Sequence, residues 1–235
     1  MSHYPMFALL PRALGASDVA KDLLAGLGGE HDRLGAELTE VAVERSSDGG
    51  AAIIECSPER ARDLIADPAR RVERFFLSSP LHSIEFWLMS DDLLAIEFGD
   101  FDSELYDSGL TEAMRESKRQ LALTLHAELV EAGAALVYCE SSDDTSETLD
   151  SPIERAERVA NAYAGGEPDV LLRELRAGEP WLVAARGDAA VGAGTRAWLQ
   201  GSFLVALEGR DGCLVFEHER HRPLFLPMTA ARTRG

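Results

Sequence analysis

Residues 84–98 have the sequence IEFWLMSDDLLAIEF, in which two apolar runs flank the polar residues Ser90, Asp91 and Asp92. Polar residues of this kind favour a tight turn, so the stretch predicts a β-hairpin over 82–90 and 93–99. Apolar side chains fall on both faces of each run, which is typical of strands that are covered on both sides. We therefore expect a central hairpin, with the other strands and helices arranged around it.

The sequence on either side of this hairpin predicts strands and helices in the order β-α-β-β-α-β-β-α-β. The predicted elements are a strand at 5–10, a helix at 18–28 capped by Ser17, a hairpin over 36–46 and 51–56, a helix from Ser57 to about Phe76, the central hairpin, a helix at 110–132 and a strand at 134–139. The first six elements follow the order of a ferredoxin-like unit, and the last βαβ extends its sheet. The predicted fold class is α+β, with a ferredoxin-like, extended antiparallel sheet backed by helices over residues 1–140.

The rest of the chain predicts a linker and a smaller C-terminal segment. Residues 141–151 are acidic and rich in hydroxyl groups, as in a linker or loop. Ser151, Pro152 and Glu154 then form a capping box, which starts a helix running to about Ala164. A helix at 168–177, a strand at 181–185 and a hairpin over 203–208 and 213–217 complete a smaller α+β segment over 152–235. The sequence leaves open whether this segment shares one core with residues 1–140.

Composition narrows the class of protein. The chain has 235 residues, of which 46% are hydrophobic and 27% are charged, as in an ordinary globular protein. No run reaches the roughly 18 apolar residues of a membrane helix, and the N-terminus lacks the basic start of a signal peptide. The cysteines, Cys56, Cys139 and Cys213, are far apart in apolar runs, which indicates reduced thiols. We therefore predict a cytoplasmic protein with no membrane contact, and the preference for arginine over lysine favours a GC-rich bacterial source.

The negative charge is concentrated in one part of the chain. The formal net charge is −18; residues 81–150 contain 17 acidic and 3 basic residues, whereas residues 151–235 contain 11 of each. A field of this sign repels nucleic acid and attracts a basic protein or a cation. An acidic surface also aids solubility without any partner. We predict no nucleic-acid partner, and suspect a basic protein partner.

Four acidic residues directly after the central hairpin are candidate binding residues: Asp100, Asp102, Glu104 and Asp107. Their alternation is typical of the start of an EF-hand loop, but the sixth place of that loop needs glycine and Leu105 occupies it. A second acidic cluster at the end of the strand 134–139 contains Glu140, Asp143 and Asp144. The two clusters could bind a divalent cation together if they lie at one end of the sheet; otherwise they form a solvated acidic rim.

Trp87 is the fifth candidate binding residue. It alternates with Leu88 and Met89, so one face of the central hairpin could stay open and bind a partner, since tryptophan and methionine suit interfaces. The alternative is that these side chains pack against the C-terminal segment, which contains Trp181 and Trp198.

Other stretches contain residue types that are used in catalysis or metal binding. Glu85 and Glu97 lie in adjacent predicted strands and could form an acid–base pair, or both could point outward. The stretch 187–195 is rich in glycine but lacks the lysine of a P-loop, so we interpret it as a flexible loop. Residues 217–221, EHERH, could supply metal ligands, but in a strand His218 and His221 point to opposite faces. We predict no cofactor and name no catalytic residue; a metal site stays unknown.

Two functions of different class follow. The sequence favours a non-enzymatic protein-binding module that presents an acidic surface to a basic partner, with a bacterial immunity or antitoxin-like protein as its most concrete form. The alternative is an enzyme, a metal-assisted hydrolase that uses the acidic cluster around Asp100 and Asp102 together with Glu140. The oligomeric state is not predicted.

Overall fold

The computed structural model describes residues 5–11, 13–27, 29, 32–35, 38–47, 50–67, 72–79, 83–99, 111–140, 152–186 and 191–218. The strands of this part of the chain are β1 (Met6–Leu9), β2 (Glu40–Ser47), β3 (Gly50–Cys56), β4 (Val72–Ser78), β5 (Ser83–Ser90), β6 (Leu93–Gly99), β7 (Leu136–Cys139), β8 (Leu182–Arg186), β9 (Phe203–Glu208) and β10 (Cys213–His218). The helices are α1 (Ala16–Gly26), α2 (Pro58–Ala66), α3 (Glu112–Glu131), α4 (Pro152–Gly165), α5 (Pro168–Ala177) and α6 (Gly192–Ser202).

All ten strands form a single sheet in the order β3-β2-β4-β5-β6-β1-β7-β8-β10-β9, and every pairing is antiparallel. The predicted α+β class, with an antiparallel sheet and helices, is confirmed. The hairpin of residues 84–98 is β5 and β6, and it lies in the interior of the sheet as its apolar pattern predicts. None of the described helices combines the length and apolarity that crossing a membrane requires.

The predicted helix from Ser57 to Phe76 is wrong in its second half. The helix starts as predicted, because the Ser57 hydroxyl accepts a hydrogen bond from the Arg60 amide at 3.3 Å and Pro58 is the first helical residue. It ends at Ala66, two residues before a proline, and residues 72–78 form β4. There, Phe75 and Leu77 are fully buried while their neighbours are not, which is the alternation of a strand.

This extra strand determines how the first half of the sheet is paired. Three strands, β4, β5 and β6, follow α2 where the sequence predicts only the two strands of the central hairpin. In the sheet, β4 lies between β2 and β5, and β1 lies between β6 and β7. The stretch 187–195 also differs from the predicted loop, because α6 begins at Gly192, whose φ of +76° suits glycine.

The N-terminal and C-terminal segments contribute to the same sheet. Strand β7 of the first segment pairs with β8 of the second over four residues, from Leu136 with Ala185 to Cys139 with Leu182. Both buried clusters contain side chains from both segments. The question that the sequence left open is thereby answered for the described residues: the two segments share one core. The linker 141–151 lies outside the described residues, and the division into domains stays a prediction.

The two faces of the sheet are covered differently. One face packs under α1, α2 and α3, and its buried side chains extend from β2 to β10. The other face packs under α4, α5 and α6, and the strands contributing buried side chains there are β6, β1, β7, β8, β10 and β9. The second face therefore has a covered half and a half that the described helices leave uncovered.

The three cysteines form no disulfide bond. Cys139 and Cys213 are buried, and Cys56 is half-buried. Burial raises the pKa of the Cys213 thiol to about 12.

Candidate functional site

The uncovered half of the sheet presents the side chains of β2 to β6 that alternate with the buried ones. Of the described residues, none from β2 to β5 contributes to the cluster under α4, α5 and α6. Ile53 on β3 is accordingly 62% exposed, although it is a large apolar side chain. We call this surface the open face. Its residues are Glu40, Ala42, Glu44, Ile53, Glu55, Arg74, Phe76, Glu85, Trp87, Met89, Ala95 and Glu97.

The pairing register arranges most of these side chains in two adjacent rows across the strands. The first row is Glu55, Ala42, Phe76, Glu85 and Glu97, from β3 to β6. The second row is Ile53, Glu44, Arg74, Trp87 and Ala95. The rows are about 7 Å apart, since side chains on one face recur every second residue at about 3.4 Å per residue. The open face thus contains five glutamates against one arginine.

Arg74 is held at the centre of the open face. Its guanidinium donates hydrogen bonds to Glu44 and to Glu85, the latter at 3.0 Å. It also lies 4.5 Å from the ring centre of Trp87 and 5.0 Å from that of Phe76. The hydrogen bond to Glu44 raises the pKa of Arg74 above its ordinary value. This arrangement shows that the carboxylates and aromatic rings of the open face can bind a guanidinium group from two directions.

An apolar groove borders the open face where α4 begins. It has a volume of about 360 Å³ and is lined by Phe7, Trp87, Met89, Ala95, Glu97 and Ile153 among others. Met89 is 41% exposed and Ile153 is 46% exposed, so two large apolar side chains are presented to solvent at its mouth. Glu97 is the acidic residue of its lining. The groove therefore combines an apolar floor with a carboxylate at its rim.

The predicted binding residues fall into two groups. Trp87 is half-buried on the open face and lines the groove, and it packs against Arg74 rather than against Trp181 or Trp198. Its role in binding stays a prediction. The four acids Asp100, Asp102, Glu104 and Asp107 lie outside the described residues, as do Asp143 and Asp144.

Glu140 has a structural partner in this fold. It is 1% exposed, and its carboxylate accepts a hydrogen bond from Arg155 of α4 at 2.8 Å. A Cβ atom at Gly178 would collide with the same carboxylate, so glycine leaves room for it. Within the described ranges, no group of three metal-ligating side chains lies close enough to hold an ion. The metal-assisted hydrolase stays a prediction that rests on residues around Asp100.

Two pairs of residues that the sequence offered for catalysis or metal binding have different outcomes: Glu85 and Glu97 lie side by side, whereas Glu217 and His218 point to opposite faces. Glu85 and Glu97 are direct cross-strand neighbours, and both point to the open face. In β10, Glu217 is buried and binds Arg119 of α3 through two hydrogen bonds of 2.8 Å, whereas the ring of His218 meets Phe203 with ring centres 5.0 Å apart. These two residues therefore belong to opposite faces of the sheet; His221 lies outside the described residues.

The sequence analysis singles out four residues of the open face, Glu85, Trp87, Met89 and Glu97, and does not name the other eight, among them Glu44, Glu55, Arg74 and Phe76. Glu44 and Glu55 lie in a correctly predicted hairpin, and their alternation with Val43 and Ile54 is the signal that could have found them. The sequence predicts a helix over Arg74 and Phe76, so it does not show that they share a face with Trp87.

Comparison with known proteins assigns no family. No family model matches the chain, and no curated protein matches it. Among solved structures, the Pseudomonas aeruginosa T6SS protein PA0821 is similar over 92% of this chain, with a TM-score of 0.42 and 13% sequence identity. This chain covers 65% of the length of that protein.

Proposed function

We propose that this protein is a non-enzymatic protein-binding module and that the open face is the acidic surface it presents to a basic partner. The single observation that carries the proposal is the composition of this face, with five glutamates, one arginine and the exposed or half-buried side chains of Ile53, Phe76, Trp87 and Met89. Excess carboxylates at one surface attract a cationic protein over long range. Large apolar and aromatic side chains beside them supply the contacts that keep it bound.

The charge of the open face is already partly compensated. Arg74 neutralises Glu44 and Glu85 locally, because it donates hydrogen bonds to both. Glu40, Glu55 and Glu97 are exposed and lie around this central group. A partner with lysine or arginine residues at matching positions would therefore meet an excess of carboxylates on this face. Such pairing speeds association and makes it sensitive to salt.

A bacterial immunity or antitoxin-like protein is the concrete form of this proposal. An inhibitor of a basic toxin must capture its target faster than the target acts, and electrostatic steering increases association rates by roughly 10- to 1,000-fold. The open face offers both the charge for capture and the apolar area for retention. The partner would then be encoded close to this protein, because toxin and inhibitor must be produced together.

The test compares two variants that lose the same charge on opposite sides of the sheet. Glu55→Gln with Glu97→Gln removes two charges from the open face, and Asp22→Asn with Asp63→Asn removes two from the exposed surfaces of α1 and α2. The products of neighbouring genes are screened as partners by surface plasmon resonance at 20 mM and 150 mM salt. We expect a basic protein whose association rate falls with salt, and falls about tenfold in the open-face variant but not in the control.

Two results would count against the proposal. The first is that neither the neighbouring gene products nor a pull-down from the native host contains a basic protein that binds at either salt concentration. The second is that both double variants lose association rate equally, which would make the effect one of net charge rather than of the open face.

A further inference from the structure

The groove beside the open face has a definite place in the register of the sheet. Its floor is formed by the row containing Trp87 and Ala95, and the next row on the same face contains Glu85 and Glu97. These rows are about 7 Å apart along the strands. An apolar depression therefore lies one row away from a pair of carboxylates.

The dimensions of the groove limit what can enter it. Its volume of about 360 Å³ is near the lower end of the roughly 300–1,000 Å³ of ligand pockets, so it suits one or two side chains. Ile153, in the first turn of α4, and Met89, near the end of β5, flank its mouth with exposed apolar surface. The excess of carboxylates on the adjoining face disfavours nucleic acid and anionic lipid. The charge complement of this surface is a cationic polypeptide.

We propose that the groove binds an extended segment of the basic partner, in which an apolar side chain at position i enters the groove and an arginine at position i+2 reaches Glu97 and Glu85. This inference rests on the proposed function, because it specifies the part of the partner that the open face recognises. The i, i+2 spacing follows from the geometry of an extended chain, in which alternate side chains point the same way at a repeat of about 7 Å. That repeat equals the separation of the two rows.

Arginine is favoured over lysine by the arrangement around Arg74. That guanidinium is held between Glu44 and Glu85 and lies near the rings of Trp87 and Phe76. A second guanidinium at Glu97 would likewise meet a carboxylate near an aromatic ring, because Glu97 and Trp87 both line the groove. A planar guanidinium uses both contacts, whereas an ammonium group acts as a point charge.

The experiment uses three heptapeptides with blocked termini and the full-length protein labelled at the isoleucine and methionine methyl groups. STLTRTS has leucine and arginine at i and i+2, STLRTTS has the same composition with the two residues adjacent, and STATRTS lacks the apolar anchor. Titration to millimolar peptide, followed by methyl NMR, reports binding at Ile153 and Met89 directly. We expect STLTRTS to shift both signals and to bind about tenfold more tightly than either of the other two.

Matched variants assign the two contacts. Ile153→Ser removes the apolar wall without changing charge, and the control Val205→Ser removes an apolar side chain that is 51% exposed on β9. Glu97→Gln removes the carboxylate of the groove, with Asp63→Asn as its control. We expect about tenfold weaker binding of STLTRTS with Ile153→Ser and with Glu97→Gln, and unchanged binding with the controls.

Several outcomes would overturn the inference. Unchanged Ile153 and Met89 signals at millimolar STLTRTS would do so, as would equal affinity for STLTRTS and STLRTTS. Residues 219–235 contain four arginines; if glutamine at all four shifts the Ile153 and Met89 signals without peptide, the occupant is the chain's own C-terminal segment. Failure of the groove and failure of the proposed function are separable. Suppose that a partner binds the Glu55→Gln, Glu97→Gln double variant more weakly but binds the Ile153→Ser variant as tightly as the wild type. The proposed binding by the acidic open face would then stand, and the proposed binding in the groove would be refuted.

Discussion

Replacement of His126 by leucine should remove a pH dependence that the wild-type fold carries. His126 lies on α3 and is completely buried. Its Nδ1 donates a hydrogen bond to the carbonyl oxygen of Ala122 at 2.7 Å, while Nε2 has no hydrogen-bond partner among the described residues. Burial lowers the pKa of His126 from 6.5 to about 4, although the bond to Ala122 opposes the shift. The folded protein therefore keeps this imidazole neutral at pH values where the unfolded chain binds a proton.

The sign and size of the effect follow from proton linkage. At pH 7.5 and above the imidazole is almost entirely neutral in both states, so His126 contributes almost no pH dependence to the free energy of unfolding. Between pH 6.5 and pH 4 the unfolded state binds a proton that the folded state does not, and the folded state loses stability as the pH falls. A pKa of about 4 in place of 6.5 corresponds to a loss of about 1 kcal/mol at pH 5.5 and about 3 kcal/mol at pH 4.

The assay is guanidinium unfolding of the wild type and of His126→Leu at pH 7.5, 6.5 and 5.5, which stays above the sequence pI of about 4.7. The difference between the two free energies of unfolding cancels the titration of the other groups. We expect it to shift by about 1 kcal/mol in favour of the variant from pH 7.5 to pH 5.5. Ile84→Val, a buried truncation on β5, is the control: it should cost about 1 kcal/mol at every pH and keep the wild-type pH dependence. A pH-independent difference between wild type and His126→Leu would refute the reasoning.

Three further changes test the packing and charge of the structure. Arg119→Met removes the bidentate partner of the buried Glu217 carboxylate and should lower the free energy of unfolding in urea by about 3–5 kcal/mol. Adding Glu217→Met should recover most of this loss, because two apolar side chains then replace the ion pair. A double variant no more stable than Arg119→Met would contradict this. Gly178→Ala places a methyl group against the buried Glu140 carboxylate and should lower the free energy of unfolding by about 2 kcal/mol. A methyl group at Gly201 in α6 meets no other atom, so Gly201→Ala should raise the free energy of unfolding by up to about 1 kcal/mol. Equal changes in melting temperature for the two variants would contradict this. Arg74→Gln removes the one positive charge among the described residues of the open face and should increase the association rate of a basic partner about twofold at low salt. The increase should vanish at 0.5 M salt, because salt screens the charges. A change in rate that does not depend on salt would mean that Arg74 acts through packing instead of charge.

Local sequence signals predicted most elements. The hairpin of β5 and β6 follows from the two apolar runs around Ser90, Asp91 and Asp92, and α4 starts at Pro152 as its capping residues indicate. These features depend on residues close together in the chain, so a single sequence contains the information. The end of α2 does not. After Ala66, residues 72–78 combine two consecutive phenylalanines with charged residues, a pattern that fits either a helix face or a strand.

The candidate site was predicted only in part for the same reason. Trp87 and the pair Glu85 and Glu97 lie in the correctly predicted hairpin, so their common face could be derived from alternation. Arg74 could not be placed with them, because its position depends on β4 pairing with β2 and β5. Its two carboxylate partners come from different strands, and only the strand order of the sheet makes them neighbours.

The sequence by itself determined the α+β class, most turns and helix starts, the antiparallel hairpins and the concentration of negative charge. Hydrophobic periodicity and turn chemistry act over a few residues, and charge is a sum over residues, so neither needs a fold. The tertiary structure decided which strands are adjacent, that both segments share one core, and which half of the second face α4, α5 and α6 leave uncovered. Those properties depend on hydrogen bonding and burial between segments distant in the chain. The pairing of the strands also places glutamates from different parts of the chain on one surface: Glu55, Glu44, Glu85 and Glu97 lie around Arg74 only in the assembled sheet.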